Sequence, residues 1–242
     1  MTLLSSARRW ARRLGLEVHR HNPTQSHAAR LQAMLEHHRI DAAFDVGAND
    51  GGYGSHLREL GFGGPILSFE PLAAAHAALQ QRARSDPAWH VMPRCALGAE
   101  PAQALMQVAA NSVSSSLRPM LDAHRQAAPQ SAAIGTEPVG VCRLDDVAWP
   151  QGISARRWLL KIDTQGYERE VLDGAPRTLQ SCVGIQIELS LLPLYEGQTL
   201  HFELTAWLLA QGFELWDLQP GFADPTSGRL LQMDGVFFRR PA

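Results

Sequence analysis

Short apolar runs alternate along most of this chain with stretches whose apolar residues recur at helical spacing. Ala42–Val46 is interrupted only by Asp45, and Ile66–Phe69, Trp158–Ile162 and Val183–Ile187 are of the same kind. Runs this short and continuous predict strands buried on both faces of a parallel sheet. Helical spacing predicts helices over His27–His38, Gly52–Leu60, Leu72–Arg84, Tyr167–Leu179 and Phe202–Ala210. Further strands are predicted at His90–Met92 (extended to Leu97), Leu105–Ala109, Val139–Leu144, Phe213–Leu218 and Leu230–Phe238. The last follows its predecessor without a helix, so the two are expected to form an antiparallel hairpin. The alternation as a whole predicts an α/β fold with a doubly wound, mostly parallel sheet.

Residues 1–40 read as a helical lead-in with a break at Asn22-Pro23, and residues 41–242 as a single α/β domain. Leu3–Val18 carries Arg8, Arg9, Arg12 and Arg13 and reads as a short basic amphipathic helix, expected to lie solvated at the domain edge. Between Pro101 and Gly140 the pattern weakens. Asn111–Ser116 is a polar patch that resists regular structure, and Leu117–Ala127 is expected to be helical. A segment of this kind fits a surface loop or a lid over a site equally well.

Composition narrows the picture only a little. Apolar residues make up 45% of the chain and charged residues 19%, as in ordinary globular proteins. A net charge of −2 gives no case for nucleic-acid binding by bulk electrostatics. Cys95, Cys142 and Cys182 are far apart and odd in number, so neither a disulfide framework nor a zinc site is expected. No run approaches the ~18 apolar residues of a membrane span. The arginines near the start argue against a secretory signal, and a cytoplasmic location is the expectation.

The chemistry concentrates at strand ends. Four predicted strands finish at or beside an acid: Asp45, Glu70, Asp163 and Glu188. A charge in such a sheet is expensive unless it is paired or faces a ligand. One acid there is ordinary capping; four on one edge point to an active site. The glycine-rich turn Gly47-Ala48-Asn49-Asp50-Gly51 follows the first strand, with Asn49 where a dinucleotide fingerprint would have glycine. A side chain there obstructs a diphosphate, while asparagine still tolerates a left-handed turn. With Glu70 placed to accept hydrogen bonds from both ribose hydroxyls, a nucleoside cofactor without a phosphate fits better, and S-adenosylmethionine is the common one. Asp163 follows Lys161, the chain's only lysine, at strand spacing, which suits a structural ion pair as well as a reacting centre. Asp163, Glu188 and His201 are the candidate bases, and a divalent metal held by Asp163 and Glu188 is an alternative.

With these residues placed, the chain resembles the FkbM-type methyltransferases over about residues 40–238. The resemblance rests on Phe44-Asp45-Val46-Gly47-Ala48-Asn49-Asp50-Gly51, Ser68-Phe69-Glu70-Pro71, Ala96-Leu97-Gly98, Leu160–Glu168, Glu170–Ala175 and Ile187-Glu188-Leu189-Ser190. Thr164-Gln165 stands where most of that family has Val-Glu. It resembles a subgroup that also carries Ser114-Ser115-Ser116, Leu194-Tyr195-Glu196-Gly197 and Gln232-Met233-Asp234-Gly235. The resemblance implies a seven-stranded class I methyltransferase (Rossmann-like) fold with a reversed last strand. It also implies S-adenosylmethionine as cofactor and O-methylation of a sugar, a glycan precursor or a natural product. By position, Asp45, Gly47, Ala48, Asn49 and Gly51 are expected around the methionine part of the cofactor. Glu70 is expected at the ribose, Pro71 beside it among the cofactor-binding residues, Ala96 and Leu97 at the adenine, and Asp163 and Glu188 at the transferred methyl and acceptor.

Two other readings compete. A nicotinamide-dependent oxidoreductase is disfavoured by Asn49, and a cofactor- or glycan-binding module without turnover by the four strand-end acids. Tyr195 and Trp216 suit a sugar-stacking role, although core positions are commoner for such residues.

Overall fold

The computed structural model describes residues 10–153 and 155–240. Residues 3–9 of the basic segment Leu3–Val18 lie outside them. Strands β1 (Ala42–Val46), β2 (Ile66–Phe69) and β3 (Trp89–Val91) form one half of the main sheet. The other half is β7 (Trp158–Ile162), β8 (Gly184–Ser190), β9 (Phe213–Pro220) and β10 (Gln232–Arg239). Their order is β3-β2-β1-β7-β8-β10-β9. Strand β10 runs antiparallel to both neighbours, and every other pair is parallel. Every residue of β1, β2 and β7 is buried, as continuous apolar runs require. The strand order reverses between β1 and β7, and in sheets of this kind ligands bind outside the carboxyl ends at that point.

Both faces are covered. On one, α1 (His27–His37), α2 (Gly52–Glu59) and α3 (Ala73–Ala83) pack Leu31, Leu57 and Leu79 against Leu159, Val236 and Phe238. On the other, α5 (Glu168–Asp173), α6 (Pro176–Ser181) and α7 (His201–Ala210) pack Val171, Leu179 and Leu204 against Phe44, Leu160 and Ile187. Helix α1 therefore belongs to the same core as the sheet. Arg30 and His27 also tie it to Asp217 of β9, with His27 Nδ1 3.2 Å from the carboxylate.

The structure corrects four expectations. The strand predicted to run from His90 to Leu97 is two strands, because Pro93 cannot donate to a ladder. Its second part, β4 (Ala96–Leu97), joins β5 (Ala102–Ala109) and β6 (Ala133–Cys142) in a separate three-stranded sheet, order β4-β6-β5. The helix predicted over Tyr167–Leu179 breaks at Gly174 and restarts at Pro176, which opens a helix but cannot continue one. Of Leu117–Ala127, only α4 (Asp122–Ala127) is helical. Glu188 stands inside β8 rather than after it, opposite Asp234 of β10.

Candidate active site

Register builds the site. Parallel pairing sets Asp45 beside Ser68 on one side and Lys161 on the other, and Lys161 beside Gln186. Residues two apart on a strand share a face, so Asp163 follows Lys161, and Glu188 with its partner Asp234 follows Gln186. Two polar rows thus cross the carboxyl edge of an otherwise apolar face. Three carboxylates, Asp45, Asp163 and Asp234, share one ammonium. Lys161 Nζ lies 3.6 Å from Asp45 Oδ1 and 3.3 Å from Asp163 Oδ2. Tyr53 of α2 closes the row, its ring centre 5.4 Å from that nitrogen. The Tyr53 hydroxyl donates to Gln186 Oε1 at 2.8 Å, and Gln186 Nε2 donates to Asp234 Oδ2 at 2.9 Å.

The imbalance shows in the protonation equilibria. Burial pushes Asp45, Glu188 and Asp234 up, and in each case Asp163 adds to the rise. Burial alone would lower Lys161, but Asp163, Asp45 and Asp234 together raise it above the usual lysine range. The cation gains from these three acids, while none of the three has it to itself. Asp45 Oδ1 is buried without a hydrogen-bond partner. The cation that faces it is Lys161, whose ammonium lies 3.6 Å away.

The turn after β7 organises the acids. Gln165, held at a positive φ of 55°, donates from Nε2 to Asp163 Oδ1 at 2.8 Å and reaches both oxygens of Glu188 at 3.0 Å. Its Oε1 faces the Tyr195 hydroxyl at 2.9 Å, which fixes the amide with its nitrogen toward the carboxylates. Ser116 donates to the Gln165 carbonyl at 2.7 Å. Beneath the turn, Glu168 accepts from the amides of Thr164 and Gly166 at 3.0 Å each, and its burial pushes its carboxyl up to about 7.

Glu70 sits just beyond β2 and is 5% exposed. It accepts from Asn49 N at 2.9 Å through Oε2 and from Leu72 N at 2.8 Å through Oε1. Burial outweighs these bonds and pushes its carboxyl up to about 7. Asn49 adopts a φ of 46°, so the turn uses the left-handed conformation for which asparagine is suited.

A cleft of about 670 Å³, measured to its open mouth, joins these parts. Of the residues singled out in the sequence, Gly47, Asn49, Glu70, Pro71, Ala96, Leu97 and Asp163 line it. Asp45 lies beneath the floor, fully buried, and Gly51 packs against Leu79, Arg82 and Trp89. Ala48 is also buried outside the lining, and Glu188 reaches the cleft only through Gln165. His201, at the start of α7, neither lines the cleft nor bonds to either acid among the described residues. Tyr195 is fully buried, and Trp216 packs near His38 and Phe238 on β9, so neither offers an open stacking face in the cleft.

Sequence reasoning missed Asp234, whose place opposite Glu188 depends on long-range register, and the bridging role of the Gln165 amide. It also missed Cys95 as a wall residue beside Ala96. Ser112, Val113, Ser115 and Leu117 line the cleft as well, so the irregular segment after β5 covers the site.

Among the described residues no helix is long and apolar enough to cross a membrane. No curated protein matches the chain. Solved structures do resemble it. A TehB-like SAM-dependent methyltransferase from Corynebacterium glutamicum is 12% identical, with 98% of this chain and 97% of that one covered and a TM-score of 0.44. An rRNA methylase from Streptococcus thermophilus is 10% identical, with 89% and 98% covered and a TM-score of 0.47. Magnesium protoporphyrin IX methyltransferase from Synechocystis, solved with bound SAM, is 10% identical, with 88% and 78% covered and a TM-score of 0.46. The profile described as the methyltransferase FkbM domain matches residues 45–215, most of the sheet and both walls of the cleft. The chain belongs to the FkbM methyltransferase family, whose cofactor is S-adenosylmethionine.

Proposed function

We propose that this methyltransferase acts in the cytoplasm on a hydroxyl of a sugar, a glycan precursor or a natural product. One observation carries the reading: a single cleft runs from the Glu70 carboxylate to Asp163, where Gln165 links it to Glu188. S-adenosylmethionine supplies an electrophilic methyl group on a cationic sulfur. Glu70 is the ribose residue, since each of its oxygens holds one backbone amide and keeps a lone pair for a hydroxyl. Pro71, Ala96 and Leu97 flank the adenine. Asp45, beneath the floor, and the turn Gly47–Gly51 shape the methionine end. Asp163 faces the acceptor and takes the hydroxyl proton, and Glu188 steadies it through Gln165 Nε2. Methyl transfer is an in-line displacement, so holding the acceptor close supplies much of the rate. Among the described residues no three of His, Cys, Asp and Glu are arranged to hold a metal ion. The Gln165 amide already bridges the acid pair, so we expect turnover without added Mg²⁺.

Calorimetric titration with S-adenosylhomocysteine, with and without Mg²⁺, is the first test, followed by labelled methyl transfer to a panel of hydroxylated acceptors. Micromolar binding and a labelled ether support the proposal. Binding with no turnover across the panel would favour a module without catalysis. Glu70→Ala is expected to weaken binding of the product cofactor by about 1–3 kcal/mol, because ribose hydroxyls lose their acceptor; unchanged affinity refutes the ribose assignment.

Affinity should also depend on pH. With Glu70 near 7, roughly nine in ten of these carboxyls are protonated at pH 6 in the free protein. Two hydroxyl donors prefer the carboxylate, so binding is expected to be tightest above pH 7 and to weaken up to about tenfold by pH 6. Glu70→Gln should flatten that slope; an equal slope in the variant would assign it to another group.

A further inference from the structure

Cys95 and Cys142 are 47 positions apart in the chain, yet their sulfurs lie 2.8 Å from each other. The second sheet brings them together. Strands β4 and β6 pair in parallel with Leu97 beside Cys142, and Gly98 N donates to the Cys142 carbonyl at 3.0 Å, so the residue before β4 meets the end of β6. Both side chains are half-buried against the main core, and both are free thiols. Cys95 lines the cleft next to Ala96 and Leu97; Cys142 stands behind it. Cys182 is fully buried and makes its contacts with backbone carbonyls instead.

We propose that Cys95 and Cys142 form a reversible disulfide whose formation weakens cofactor binding. The oxidant is a low-molecular-weight disulfide of the glutathione type. One cysteine thiolate attacks a sulfur of that disulfide, forming a mixed disulfide and expelling one glutathione thiolate. The second cysteine then attacks the protein sulfur of the mixed disulfide and expels the other. Two protein thiols are oxidised, one small disulfide is reduced to two thiols, and the two thiol protons end on the released glutathione. Cys142 is held below the ordinary thiol range by its bond with Cys95, which makes it the more readily ionised of the two.

Little movement is needed. A disulfide has its sulfurs about 2.05 Å apart, so closure moves them together by less than about 1 Å. The Cys95 sulfur is drawn toward Cys142 and away from the cleft. A gap of about 0.5–1 Å at a packed wall forfeits a quarter to a half of the dispersion contact there. Linkage makes the effect reciprocal: a ligand that binds the dithiol form better makes the pair harder to oxidise. A fivefold preference corresponds to a shift of about 20 mV for a two-electron couple.

The full-length protein is equilibrated in glutathione buffers of graded ratio, alkylated and digested, and the linked Cys95–Cys142 peptide is quantified by mass with and without S-adenosylhomocysteine. Calorimetry on the reduced and oxidised protein gives the two affinities. The expected result is a linked peptide that dithiothreitol removes, with affinity about fivefold weaker in the oxidised protein and restored on reduction. Cys142→Ser should form no linked peptide and, where the mass shows its Cys95 free of glutathione, should bind equally in both buffers. No linked peptide in excess glutathione disulfide overturns the proposal, as does a disulfide form of equal or tighter affinity. The peptide readout needs no acceptor, so a failed acceptor screen does not touch it. Absence of binding in the reduced protein would strike the cofactor assignment and the coupling together while leaving the thiol chemistry to the mass measurement.

Discussion

Gly47→Ala is expected to cost at least about 3 kcal/mol of stability and to remove measurable binding of S-adenosylhomocysteine. Gly47 leaves β1 with a φ of 77°, and its amide and that of Ala48 both donate to the Phe69 carbonyl, at 3.1 and 3.0 Å. This pins the turn between the ends of β2 and β7. A Cβ added there would lie 1.9 Å from the Asp163 carbonyl oxygen and 2.9 Å from its carbon. Neither partner is a flexible side chain, since Asp163 N donates to the Val46 carbonyl at 3.0 Å and holds the two backbones together. The sheet must part at the point where the cleft begins. Gly61→Ala is the matched control, because Gly61 has a φ of 83° and open space around it. It should lose only the about 1–2 kcal/mol of a left-handed alanine. Denaturant unfolding of the two variants separates close approach from backbone conformation. Equal losses would mean that the contact between the turn and Asp163 is unimportant.

That contact illustrates what was legible in the sequence and what was not. The continuous apolar runs of β1, β2 and β7 identified the central strands, because burial on both faces leaves few other patterns. The missing helix before β10 similarly marked the reversed strand. Residues 96–142 were harder. Their strands belong to a second sheet, where only Ala109 of β5 is buried and no periodicity distinguishes one sheet from another. Nothing local in the sequence marks Cys95 and Cys142 as neighbours, since register across 47 residues decides it.

The candidate site divides along the same line. Strand ends exposed Asp45, Glu70 and Asp163 because a charge stands out at the edge of an apolar run. Glu188 was visible for the same reason, but its partner Asp234 lies in a strand whose register the sequence does not print. Gln165 drew notice only as a departure from the family pattern. Its function as a bridge depends on the positive φ that turns its amide toward Asp163 and on the buried Tyr195 hydroxyl behind it. Both are tertiary facts.

Asp163→Asn is expected to lower the methyl-transfer rate by about 10²–10⁴, the range that general base catalysis contributes. Of the acids gathered at this edge, Asp163 lines the cleft, and its side chain is 35% exposed, whereas Asp45 is fully buried. Reach from the cleft therefore selects it as the proton acceptor. Glu188→Gln should also slow the reaction, because Glu188 holds Gln165 Nε2 in place and that nitrogen orients Asp163. Two residues acting through one bridge are not independent, so the double variant should be little worse than Asp163→Asn alone. A change of KM with kcat preserved in Glu188→Gln would instead make Glu188 a binding residue for the acceptor. The measurement is the initial rate of transfer from labelled S-adenosylmethionine to the acceptor returned by the panel, with product-cofactor affinity determined alongside. Strictly multiplicative losses would show that the acids act separately and that the Gln165 bridge has no part in the reaction. A full rate in Asp163→Asn would show that the acceptor hydroxyl loses its proton to a group other than Asp163.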